Sequence, residues 1–126
     1  MAGTLTISTL SDGTNSTSST NCIQGSAKAW ARFSATPSTV TINASYNISS
    51  ITYNAAGDYT INFTNAFVDA NYSMAQSSYS ASDAYTRAIM IKNGTTPTTT
   101  SVRITNSTGN AGSLQDSTYM GVSFFR

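Results

Sequence analysis

Apolar and polar residues alternate with a period of two along most of this chain. Over 27–33, Ala27, Ala29, Ala31 and Phe33 fall on one side, and Lys28, Trp30 and Arg32 on the other. Successive side chains of a strand point to opposite faces, so this is a strand with one face turned inward. Pro37 interrupts the pattern, and Val40 and Ile42 mark a second strand. Residues 46–64 read as a hairpin. The turn is 54–57, where Gly57 is free to take a positive φ, and Tyr59, Ile61 and Phe63 form a stripe expected in the core.

The second half continues in the same way. Tyr72, Met74 and Gln76 alternate with Ser73 and Ala75; Tyr85, Arg87, Ile89 and Ile91 oppose Ala88 and Met90. Val102 and Ile104 mark another strand. At the end, Met120, Val122 and Phe124 share one face, with Tyr119, Gly121 and Phe125 near the other. Segments 77–84, 93–97 and 106–112 read as loops. Nowhere do apolar residues recur at i, i+3 and i+4 among helix formers, so no helix is expected. Seven to nine short strands separated by turn signals give an all-β fold, an antiparallel β-sandwich or jelly-roll-like domain.

The N-terminus differs. Leu5, Ile7 and Leu10 alternate with Thr and Ser, as a short strand or extended arm, and 11–21 is almost entirely small and polar. We divide the chain into an arm and polar linker, 1–25, and a sandwich, 26–126. An arm with so little apolar content is expected to be held by whatever it touches.

Composition narrows the chemistry. The chain has 126 residues, room for one domain, with no His, no Glu and a single Cys. Ser–His and Cys–His nucleophile pairs, His-based or multi-Cys zinc sites and an intrachain disulfide are therefore excluded. Cys22 is expected to be an inert thiol. The five Asp residues, Asp12, Asp58, Asp69, Asp83 and Asp116, sit at expected turns or strand edges, where Asp caps turns. They are not expected to form the carboxylate pair of a glycosidase. No catalysis, cofactor or metal is expected. The six Lys and Arg are scattered, which disfavours nucleic acid, and no apolar run is long enough to span a membrane. The first residues lack a signal-peptide pattern. Seven Asn-x-Ser/Thr sequons follow from a chain one third Ser and Thr and are not read as glycosylated. Leu, Ile, Val and Phe number only 21, so partner subunits are expected to supply part of the burial.

Several longer words are more specific than their alternation. They are Ala27–Trp30 with Phe33, Ser45–Ile51 (SYNISSI), Gly57–Phe63 (GDYTINF) and Asp69–Tyr72 (DANY). In this order they resemble a β-sandwich domain common at the C-terminal ends of bacteriophage tail fibres and in other phage virion proteins. The likeness covers about a third of the chain closely, with the Phe-Arg ending a weaker match. Ala31–Arg32 stands where the family usually has Val-Asn, 54–57 lacks its Asp-Asn-Gly-Thr-Gly turn, and Phe67–Val68 replaces Met-Pro. In the family the module usually ends a long fibre; here it begins 26 residues after Met1, with no shaft, coiled coil or β-helix repeat before it.

The resemblance implies a virion protein that associates with itself, as a homotrimer, assembled in a bacterial cytoplasm and exposed on the particle. Two roles are expected from it. The first is a capsid decoration (cement) protein bound to the major capsid protein, with Leu5, Ile7, Leu10, Lys28, Trp30, Arg32, Phe124 and Phe125 as interface candidates. The second is a tail fibre tip or tail adaptor that binds other tail proteins and a host-surface receptor or glycan through Tyr53, Tyr79 and Tyr85. Trp30 keeps two readings, an interface anchor with cationic neighbours or a core residue under the opposite sheet.

Overall fold

The computed structural model describes residues 3–82, 84–109 and 112–126. It is an all-β sandwich of two four-stranded antiparallel sheets, preceded by a small N-terminal unit. That unit holds β1 (Thr9–Ser11), β2 (Ser16–Ser18) and α1 (Ser19–Gly25). The first sheet contains β3 (Ala29–Thr36), β4 (Thr39–Tyr46), β7 (Ser73–Tyr79) and β10 (Tyr119–Phe125), in the order β4-β3-β10-β7. The second contains β5 (Ile48–Ala55), β6 (Asp58–Phe63), β8 (Arg87–Ile91) and β9 (Ser101–Thr108), in the order β5-β6-β9-β8.

The expected alternation places the core. Ala29, Ala31, Phe33 and Ala35 of β3 are buried, as are Tyr59, Ile61 and Phe63 of β6 and Met120, Val122 and Phe124 of β10. Phe124, an interface candidate from the sequence, is fully buried instead. Its ring lies edge-on to Phe63 at 5.2 Å and to Tyr72 at 5.7 Å, inside an aromatic cluster closed by Phe67. The terminal aromatic pair is thus divided by the pleat, Phe124 inward and Phe125 outward and half-buried.

Two tight places turn the chain. Pro37 and Ser38 join β3 to β4 across the pair Thr36–Thr39, with Ser38 at φ 64°. Asn47 lies between Tyr46 of the first sheet and Ile48 of the second, at φ 55°. Asn tolerates this left-handed geometry better than most residues. Here its side chain also holds the corner, donating to the carbonyls of Lys28 and Asn65 and accepting from the Asn65 amide at 2.8 Å.

The structure departs from the sequence expectations in the polar N-terminal stretch and in two of the expected loops. The polar stretch 11–21 is not a plain linker: it completes a hairpin and begins a helix. Asp12 accepts from the amides of Thr14 and Asn15 in the hairpin turn, and Ser18 caps α1 by accepting from Asn21 at 3.2 Å. Such local bonds from Ser, Asn and Asp leave no apolar periodicity to read, and α1 buries no residue. Ser19 of α1 donates back to the Ser8 carbonyl, and the residues that follow α1 bond its last turn, Ser26 donating to the Cys22 and Ile23 carbonyls and Lys28 to the Ile23 carbonyl. Residues 77–79 and 106–108 are strand, not loop, and 106–108 are buried.

Candidate recognition cleft

β3 pairs with β10 so that Arg32 faces Gly121 and Trp30 faces Ser123. On the other side β7 sets Ser77 beside Gly121 and Ala75 beside Ser123. These residues all lie on the outer face of the first sheet, since their neighbours Ala31, Met120 and Val122 point into the core. Small side chains therefore occupy the middle of the face, and Trp30, Arg32 and Tyr119 rise around them. The result is a shallow cleft of about 310 Å³. Gly121 sets its depth: a Cβ there would come 2.7 Å from the Ser77 hydroxyl.

Trp30 is thus not under the opposite sheet: it is 37% exposed on the outer face, and among the described residues no cation stacks on its ring. Arg32 stacks on Tyr119 instead, with its guanidinium carbon 4.8 Å from the ring centre. Tyr79 pairs with Tyr119 across the β7–β10 register and extends the aromatic rim. Nothing in the sequence marks Tyr119 or Gly121 as part of a site. The alternation placed both off the core face, but only the strand register brings them beside Arg32.

The other two candidate tyrosines lie on different elements. Tyr85 is exposed in the β7–β8 connection, whereas Tyr53 lies within β5, half-buried against the core. Tyr53 donates to Asp116 at 3.1 Å, and burial, the largest cause, pushes its phenol up from its ordinary pKa.

The described Asp residues have separate partners. Asp12 and Asp69 cap turns as expected, and Asp69 also pairs with Arg126, which with the Asn71 amide holds it down to about 2. Asp58 is no turn cap. It is buried between Arg103, at 2.8 Å, and Lys92, at 2.7 Å. The hydrogen-bonded Arg103 guanidinium is the main reason its carboxyl lies at about 2. Asp116 accepts from Tyr59, Tyr53 and the Gly57 amide. Asp83 lies outside the described residues. No three metal-ligating side chains come together among the described residues, and no described helix is long and apolar enough to cross a membrane.

The remaining interface candidates sit on the N-terminal unit or beside it. Leu5, Ile7 and Leu10 are exposed, Cys22 is a half-buried free thiol, and Lys28 also bonds the Ser26 hydroxyl at 2.9 Å. Compared with known proteins, the chain matches no family model, no curated protein and no solved structure.

Proposed function

We propose that this chain is a non-enzymatic structural protein of a bacteriophage particle, a decoration protein that the N-terminal unit fastens to the major capsid protein on the head. The observation that carries this reading is the uncovered apolar surface of that unit. Leu5, Leu10 and Ile23 are 81%, 53% and 63% exposed, and with Ile7 and Cys22 they line one hollow of about 380 Å³. The rest of the unit is small and polar, so these side chains are suited to a neighbouring subunit. Each apolar Å² covered there contributes roughly 25 cal/mol before association costs, and many copies multiply the effect. Self-association, implied as trimeric by the family resemblance, is supported by β4. This edge strand leaves Ile42 and Tyr46 exposed, a surface another copy can cover.

A second reading, a tail fibre tip or tail adaptor, is supported by the aromatic cleft, which suits receptor recognition. Gold-labelled antibody against the chain, imaged on intact virions, separates the two. Label over the head in many copies is the expected result. Label confined to the tail, in few copies, overturns decoration in favour of the second reading; unlabelled virions overturn both.

A further inference from the structure

The cations of this chain are almost all engaged. Lys92 and Arg103 close on Asp58, and Arg126 on Asp69. Arg87 reaches the Asp116 carbonyl and Gln115, while Lys28 bonds Ile23 and Ser26. Arg32 is different. Its guanidinium meets the Tyr119 ring and, among the described residues, neither a carboxylate nor any other hydrogen-bond acceptor. Its N–H donors are open at the rim of the cleft, and no described carboxylate lines that cleft.

We propose that the cleft binds an acidic saccharide. The observations fit three parts of such a ligand. Arg32 offers a planar fork of donors that matches a carboxylate, and stacking on Tyr119 holds the fork in place at little entropic cost. Trp30 presents a flat, amphipathic surface for the apolar face of a sugar ring. Ser77 and Ser123, on the floor, can donate to or accept from ring hydroxyls. The volume, at the small end for ligand clefts, suits a short saccharide segment on a display surface. The inference extends the receptor-recognition reading and owes nothing to the N-terminal unit.

The chain carries its own reporter, since Trp30 is its only tryptophan. The full chain is titrated with tri-galacturonate and 3′-sialyllactose, and with their neutral counterparts maltotriose and lactose, while Trp emission is followed. The expected result is a saturable change with at least one acidic probe that weakens at least tenfold in Arg32→Gln and with added salt. Arg32→Lys, which keeps the charge but loses the fork, falls between. Unchanged thermal unfolding of the variants shows that the sheet is intact. An equal response to acidic and neutral sugars, indifferent to Arg32→Gln, overturns the acidic assignment but leaves sugar recognition standing. No saturable change with either acidic probe overturns the proposal, while tail-confined label in the virion experiment would still keep receptor recognition, through another ligand.

Discussion

Tyr59 donates its phenolic hydrogen to Asp116 across 2.7 Å, tying the buried face of β6 to the segment that leads into β10. The same carboxylate accepts from Tyr53 and from the Gly57 amide, so one exposed-looking residue of the sequence holds two strands and a turn. Burial of Tyr59, reinforced by Asp116, drives its phenol far above the ordinary range and keeps the proton on the donor. Tyr59→Phe should therefore cost about 1.5–3 kcal/mol, the range for losing a hydrogen bond to a carboxylate. Asp116→Ala, which strands several donors, should cost more. Urea unfolding of both variants tests this; equal stability to the parent would show that the bond contributes nothing.

Gly57 is irreplaceable for two separate reasons. It sits at φ 65°, and a Cβ there would meet backbone rather than a movable side chain, with the Asn106 carbonyl oxygen at 2.5 Å and the Leu114 carbonyl carbon at 2.8 Å. Gly57→Ala should lower stability by several kcal/mol, well beyond the ~1 kcal/mol of an ordinary left-handed alanine. Gly94→Ala is the control: its φ is 76° but nothing lies near its Cβ. Similar melting temperatures for the two variants would contradict the packing described at Gly57.

Acid should weaken the fold through Asp58. Its carboxyl titrates at about 2 in the folded chain, against about 3.8 as an ordinary Asp. A group with a lowered folded value stabilises above its unfolded value and loses that contribution as pH falls towards the folded one. Stability should thus hold down to about pH 4 and drop between about pH 4 and 2, by on the order of 1–2 kcal/mol from this site, since Arg103 and Lys92 are partly solvated. Asp58→Asn should flatten that part of the profile. Thermal melts across the window show whether it does.

The two faces of β3 and β10 should respond differently to truncation. Phe33→Ala and Phe124→Ala each empty a fully buried site and should cost about 3–5 kcal/mol. Trp30→Ala, on the outer face, should cost no more than about 1 kcal/mol despite the larger side chain. A Trp30 variant as unstable as the Phe33 variant would place the indole in the core.

How far the sequence could be read depended on where each residue found its partners. Phe33 and Ile61 were legible because alternation alone decides which face is buried. Asn106 was not. It reads as the start of a polar loop, yet its amide is fully buried, donating to the Gln115 carbonyl and the Ser117 hydroxyl and accepting from Ser78 at 2.7 Å. Those partners come from β7 and from the segment before β10, so no local pattern announces them. The cleft was hidden for a related reason. Alternation puts Trp30 and Arg32 on one face, but Tyr119, Gly121 and Ser77 join them only through a register that alternation does not encode. At the N-terminus the obstacle was the reverse, because bonds from Ser18 and Asp12 are so local that they build a hairpin and a helix without a hydrophobic signal.

The central claim is that the N-terminal unit fastens the sandwich to the particle. Its most direct measurement is the copy number retained on purified virions by the full chain carrying Leu5→Ser, Leu10→Ser and Ile23→Ser together. All three side chains are exposed, so the melting temperature should stay within a few degrees of the parent. The predicted result is a folded protein that is lost from the particles. Retention at the parent's copy number would contradict the claim and move the attachment surface to the sandwich itself.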